Sequence, residues 1–535
     1  MTREIISADV APVIDKHVER NSGAATVNVK NSSKRQHGGT GVRLETSAVS
    51  DRRIIKLLPH QQEAVDKYTS EEGDRGSRLL AWDMRTGKTA AGIGIDRGLR
   101  NRYPRVSRGN NCTLICTPKT AMSVWEDHLL RMGVSPSNIR VVDLPSKNRI
   151  RGTLKYIAAH KRLKSMKEGY IIINWDSVAS LGKELRQAGP WWHIIADEVH
   201  RIKGRKTART INFLKLRAKQ RTGLSGTPAD NKPEDFWQVL NWLLPSMFSS
   251  YWRFVDETCE TFVTKSGYKK ITGVNREGIA ALHEKIAPYY DRVRMKDVVA
   301  DMPERVYETW WVDMGAKQRK EYDELVKDDI ASIKGGDIIA SLPIVKVVRQ
   351  QQMAIGCCTG VWTTKQLPNG ECEPWFDISI TDTPPSPKLD LIMEWLTDED
   401  NADEALVVGA QHPDTIEMLR VRCERSGIKS AVVTGSCSPR DRSERIGSFQ
   451  RGSCRVFMGT IASIREGIDL SRARTIIRID KPWNPNWNKQ FESRCDSMLD
   501  PRATQIIDIV ARNSIDEYRL DRIQRKADDT ELMLG

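Results

Sequence analysis

The strongest constraint on how this chain folds is the recurrence of short, continuous apolar runs separated by helix-length segments. "RLLAWD", "CTLICT", "IRVVDL", "YIIINW", "HIIADE" and "RTGLSG" follow one another between residues 78 and 226. Runs that are apolar on successive residues, rather than on alternate ones, suit strands buried on both faces of a parallel sheet. The spacing between them leaves room for crossover helices. A second series, "EALVVGA", "SAVVTG", "CRVFMGT", "TIIRID" and "QIIDIV", begins near residue 404. The architecture repeats although the sequence does not, so the expected fold class is α/β with two parallel-sheet lobes. At 535 residues the chain is also too long for one ordinary core.

Composition sets the expected boundaries. Residues 1–50 read as a flexible N-terminal tail, since 21–50 are rich in Ser, Asn and Gly and lack hydrophobic periodicity. Residues 51–302 form the first lobe, with a helical insertion at about 240–290, and residues 401–535 form the second. Between them, 303–400 reads as a helical insertion and linker. "AKQRKEYDELVKDDIASI" supplies polar helix there, and "TDTPPSPKLD" supplies a hinge. The tandem pairs Trp191-Trp192 and Trp310-Trp311 are expected to pack within the core or between lobes rather than to stack on bases.

The formal charge of +14 and pI near 9.2 favour an anionic polymer as partner, nucleic acid first, over a merely solvated basic surface. No run of about 18 apolar residues and no secretory h-region is seen, so the expected location is cytoplasmic, in a bacterial cell or a viral host, or nuclear if eukaryotic. The ten cysteines are scattered without a C-x-x-C pair; Cys357, Cys358 and Cys372 are their only cluster, with no evident fourth metal ligand.

One stretch carries chemistry. "LLAWDMRTGKTAAGIG", residues 79–94, ends a strand-like run in Gly87-Lys88-Thr89, the second half of a phosphate-binding loop. Such a loop wraps backbone N–H groups around phosphates, sends Lys to the β and γ phosphates and holds Mg²⁺ with a hydroxyl. Trp82 stands where the first Gly of that pattern belongs. The strand before the loop and the helix start after it are nevertheless the context that phosphate binding requires. About a hundred residues on, "HIIADEVHRIKG" runs an apolar strand into Asp197-Glu198, at the sheet edge where open parallel sheets place ligands. An Asp there can hold Mg²⁺ and a Glu can polarise the attacking water; without the loop upstream, the pair would read as a solvated acidic turn.

"DEVH", "RIKG" and "GLSGTPADNKPEDFWQVLNWLLP" resemble motifs II and III of superfamily 2 helicase-like ATPases, and more narrowly the Swi/Snf-related family of double-stranded DNA translocases. "LLPHQQEAV", "ICTPKTAMSVWEDHL", "INWDSV" and "VRMKDVVADMPERVYE" follow that family in order, as do "VVRQQQMAIGC", "SPKLDLIMEWL", "GTIASIREGIDLSRARTIIRIDKPWNPNWNKQFESR" and "NSIDEY". The resemblance spans about residues 55–520. It implies two RecA-like lobes with a nucleotide cleft between them, ATP and Mg²⁺ as the bound species, and double-stranded DNA as partner.

It also implies roles. Gln61 reads adenine; Arg85, Thr86 and Gly87 line the loop; Lys88 holds the β/γ phosphates; Thr89 and Asp197 hold the metal. Glu198 activates water, and His200, Ser225 and Thr227 couple nucleotide state to the DNA groove. Arg494 faces the γ-phosphate, with Gln490 and Gly467 at neighbouring motif positions. Three residues depart from the family: Arg85 for Gly, Asp469 for Asn, and Ser497 for the second motif VI arginine. The last implies slow turnover or a substitute, with Arg502 and Arg465 nearest in sequence. The expected activity is an ATP-driven motor that follows the DNA backbone. The alternatives are a strand-separating or strand-annealing helicase, the motor of a restriction-type complex, and a weakly hydrolysing, nucleotide-regulated DNA clamp.

Overall fold

The computed structural model describes residues 54–104, 111–143, 168–229, 232–298, 305–340, 342–366, 372–465, 468–496 and 503–535. The expected tail, 1–50, lies outside them. The described residues fall into two compact units, 54–298 together with Lys526–Gly535, and 305–525.

In the first unit the six apolar runs become β1 (Ser77–Leu80), β2 (Asn111–Thr117), β3 (Ile139–Val142), β4 (Glu168–Asn174), β5 (Trp191–Asp197) and β6 (Ala218–Leu224). A hairpin, β7 (Cys259–Val263) and β8 (Lys269–Val274), interrupts the helices that follow, and the two-residue β9 (Tyr290–Asp291) closes the sheet. The order is β3-β4-β2-β5-β6-β1-β9, parallel throughout. Successive residues of one strand feed opposite cores: Leu114, Ile171, Ile173 and Ile194 enter one apolar cluster, while Ile115, Ile172 and Ile195 enter another. That double burial is why the runs are continuously apolar.

The helix Lys88–Arg102 packs on this sheet, where a Cβ at Gly92 would lie 3.3 Å from Leu224 Cδ1, and against the helix Pro59–Thr69, where a Cβ at Gly94 would lie 2.8 Å from Val65 Cγ2. Lys526–Gly535, assigned by sequence to the second lobe, pack with the first unit instead. Met533 and Leu534 belong to its core, and Tyr290 Oη donates to the Leu534 carbonyl at 2.7 Å. They are the end of a helix, Ile515–Leu534, that begins in the other unit.

The second unit is built on β10 (Arg305–Val312), β15 (Leu406–Ala410), β16 (Ser430–Val433), β17 (Val456–Thr460), β18 (Thr475–Arg478) and β19 (Thr504–Ala511), in the order β10-β19-β18-β15-β17-β16 and again all parallel. Two antiparallel hairpins, β11 (Ile330–Ile333) with β12 (Gly336–Ile339) and β13 (Cys358–Gln366) with β14 (Cys372–Ile380), lie in the stretch read as helical insertion. That reading also missed β10, which pairs with β19 along its whole length. Its exposed residues Val306, Tyr307 and Trp311 hide the strand from an apolar-run search. Trp191 and Trp192 are buried as expected, but Trp311 is exposed, with the Arg512 guanidinium 5.3 Å from its ring centre.

"TDTPPSPKLD" lies inside this unit. Arg422 pins it through Asp382 and Asp390 at 2.5 and 2.6 Å, and Ser386 and Lys388 within it are buried. Lys388 Nζ donates to the carbonyls of Ile479 and Ile509 and to Asp516, which also pairs with Arg519. A second buried network joins Arg478 to Asp508 and Glu492. Cys357 and Cys358 are buried thiols pushed up by desolvation to about 11 and about 12.

Candidate functional site

The carboxyl ends of β1 and β5 bring the two sequence motifs of the first unit to one edge of its sheet. β1 runs into the loop that ends at Gly87, and β5 ends at Asp197; β6 lies between and pairs with both. Gly87 has φ +79, and a Cβ there would fall 2.1 Å from Gln61 Nε2, so both backbone and space require glycine. Gln61 is buried, donates from Nε2 to the Thr86 carbonyl at 3.0 Å, and accepts from Leu58 N–H through Oε1 at 3.0 Å. His60 reaches the same Thr86 carbonyl at 2.8 Å. Thr86 Oγ1 donates to the Asp83 carbonyl at 2.8 Å.

Lys88 Nζ donates to the carbonyls of Trp82 and Asp83 at 2.8 and 2.7 Å, so the ammonium lies inside its own loop. Burial pushes it below the usual lysine range, opposed by the charges of Glu198, Asp197 and Asp83. Thr89 follows in the first turn of the helix. Arg85 takes the left-handed backbone at φ 63, the conformation that glycine adopts without strain and a side chain resists. Trp82 is fully buried and donates from Nε1 to Asp291 at 2.5 Å, so it belongs to the strand's packing rather than to the turn.

Asp197 is buried and accepts two bonds on Oδ2, from Thr117 Oγ1 at 2.7 Å and Trp125 Nε1 at 2.9 Å. Both donors land on one oxygen, which holds the carboxylate in orientation and leaves Oδ1 for a cation. Thr89 and Asp197 are thus the residues that fit Mg²⁺, a hard ion satisfied by one or two protein oxygens, substrate phosphate and water. Glu198 sits in a left-handed backbone at φ 51, 3.4 Å from His200 Nδ1. His200 Nδ1 lies 2.9 Å from Ser225 Oγ, which accepts from Thr227 N–H at 3.0 Å. The acidic motif and "LSGTP" are therefore one hydrogen-bonded chain. A Cβ on Gly226 would come within 3.2 Å of the Trp82 carbonyl, so that chain also abuts the loop.

The sequence reading missed the brace beneath the loop. Arg292 donates to Asp83 Oδ1 and to the Ala81 carbonyl at 2.8 and 2.7 Å, and Met295 N–H donates to Asp83 Oδ2 at 3.0 Å. Thr117 and Trp125 lie in a quoted motif without having been singled out. Nothing local marks Arg292.

Within the second unit, Gln490 is buried on the helix Pro485–Glu492, and its carbonyl accepts from Arg494 Nε at 3.1 Å. Arg465 reaches Gln490 Oε1 at 3.4 Å and lies 3.8 Å from the Trp487 ring centre, a cation–π contact that places it beside the same helix. Asp469 Oδ1 accepts from Ser471 N–H at 3.1 Å, a turn that Asn would close equally well. Gly467, Ser497 and Arg502 lie outside the described residues.

Residues 60–354 match the SNF2-related domain, and residues 387–499 match the helicase conserved C-terminal domain. Among known proteins, the chain is 22% identical over 475 residues to the ISWI chromatin-remodeling complex ATPase ISW1 of Saccharomyces cerevisiae, covering 88% of this chain and 40% of that protein. It is 21% identical over 529 residues to the human chromodomain-helicase-DNA-binding protein 1, covering 98% of this chain and 29% of that one. The chain thus spans well under half the length of these relatives. A solved structure, the Sulfolobus solfataricus SWI2/SNF2 ATPase core in complex with dsDNA, aligns with 90% of this chain and 95% of its own at 18% identity and a TM-score of 0.39. No described helix is long and apolar enough to cross a membrane.

Proposed function

Since the chain belongs to the SNF2-related family, whose pattern covers more than half of it, we propose that it is an ATP-dependent motor that moves along double-stranded DNA. The observation that carries this reading is the convergence of Lys88, Asp197 and Glu198 on one sheet edge, with Asp197 held by two donors on a single oxygen. A lysine already desolvated and inside its loop loses little hydration when it exchanges two carbonyls for phosphate oxygens. Gly87 and the backbone N–H groups at the start of Lys88–Arg102 supply further donors.

Magnesium, when bound, would supply charge neutralisation at the phosphates, and Thr89 and Asp197 are the residues that would hold it. Glu198 orients the attacking water and accepts its proton at a carboxylate oxygen. His200, Ser225 and Thr227 then sense the state of Glu198, being linked to it and to the loop. Arg494 is the candidate for stabilising charge on the transferring phosphoryl group, and Arg465, held beside Gln490, or Arg502 for the second cation that Ser497 does not supply. Phosphate contacts give position without sequence, which suits a chain of charge +14 that tracks a backbone.

A triplex-displacement assay tests the motor directly. The chain with ATP is expected to strip a third strand from duplex DNA that stays double-stranded. Hydrolysis stimulated by the same DNA without displacement would overturn translocation.

A further inference from the structure

The hairpin β7–β8 leaves the first unit between two helices, Tyr251–Thr258 and Arg276–Ile286, whose Phe254, Val255, Ile279 and Leu282 are buried in its core. Its root is buried at Cys259 and Val274. Its distal end is not. Phe262, Val263 and Tyr268 are 61%, 58% and 69% exposed, and of the nine phenylalanines Phe262 alone is exposed. Residues 262–270 read "FVTKSGYKK", three lysines and no carboxylate. Cross-strand register sets Phe262 opposite Lys270 and Val263 opposite Lys269, and Lys269 is tied back to Asp256.

The tip is also built rather than loose. Thr264 N–H donates to the Tyr268 carbonyl at 2.9 Å, Tyr268 N–H donates to Thr264 Oγ1 at 3.1 Å, and Gly267 turns the chain at φ +79.

Aromatic rings offered to solvent at a fixed turn whose own residues, 262–270, carry cations and no anion, with Glu260 and Asp256 lying towards the root, match the chemistry of a nucleic acid with accessible bases. Rings stack on any base, and ammonium groups meet the flanking phosphates. A continuous duplex hides its bases, so the match is to a junction of duplex and single strand. We propose that β7–β8 is a pin that engages such a junction, Phe262 and Tyr268 stacking on unpaired bases and Lys265 and Lys270 contacting the adjacent phosphates. This rests on the reading of the chain as a DNA motor and adds to it a substrate preference.

The test compares a hairpin-capped duplex with a forked duplex of equal length carrying unpaired arms, by fluorescence anisotropy and by ATP turnover. The parent chain is expected to bind the fork roughly tenfold more tightly. Phe262→Ala with Tyr268→Ala should erase that difference while leaving affinity for the capped duplex, turnover on it and the melting temperature unchanged. Phe262→Tyr with Tyr268→Phe should retain the preference. Lys265→Glu with Lys270→Glu should reduce fork binding and its salt dependence. Equal parental affinity for both DNAs overturns the pin, as does a fork preference that survives the alanine pair, or an equal loss on both DNAs. Absence of turnover on the capped duplex would instead overturn the motor reading, because fork preference is read from binding alone.

Discussion

At the scale of single residues, the roles proposed for Glu198 and Lys88 differ, and substitution separates them. Glu198→Gln keeps the shape of the side chain and loses the base, so ATP should bind and turnover should fall by about two to four orders of magnitude. A filter-binding and turnover pair reads both; hydrolysis at the parental rate would remove Glu198 from its role. Arg494→Ala should cost at least about 10³-fold in turnover with ATP binding retained. Arg465→Ala should show a clear loss of the same kind if Arg465 is the second cation, whereas an unchanged rate assigns that role elsewhere. Gly87-Lys88-Thr89 and Asp197-Glu198 were legible because each motif is contiguous and sits at the end of an apolar run. Asp83 and Arg292 were not, being 209 residues apart and joined only by folding.

Among the elements, the strands of both sheets were legible because burial on both faces leaves continuous runs such as Ile171-Ile172-Ile173. β10 was hidden by its exposed side chains, and β9 by having two residues. The helix Pro387–Thr397 carries a testable device. Lys388 and Arg519 are neutralised by Asp516, and Asp516→Asn would leave buried cations unpaired at a cost of about 3–5 kcal/mol, readable in urea unfolding of the chain.

Burial alone would raise the carboxyls of Asp508 and Asp516, but Arg478 and Lys481 outweigh it at the first, and Lys388 and Arg519 at the second, so both are held low. Their stabilisation is present above about pH 3.9 and disappears only as pH falls through the lower folded values. His193, His283 and His412 are pushed down by burial. Each therefore favours the unfolded chain, which binds the proton more readily, once pH drops below about 6.5. The melting temperature should fall on mild acidification well before the aspartates contribute to the loss. A melting temperature that rises between pH 7 and 5 would contradict this.

For the whole molecule, two doubly covered parallel sheets, a positive net charge and membership of the SNF2-related family all support the one activity proposed. Two units were legible from the repeated series of runs. The return of Lys526–Gly535 to the first unit was not, since nothing in a helical sequence says which core its last turns join. The central claim is that the edge bearing Lys88, Asp197 and Glu198 turns over ATP under the control of duplex DNA. Steady-state ATP turnover, with Lys88→Ala as the blank, tests it most directly. Turnover should be low alone, rise strongly with double-stranded DNA, rise much less with duplex RNA, and be absent from the blank. A rate that duplex DNA leaves unchanged, or that RNA raises equally, would contradict the account.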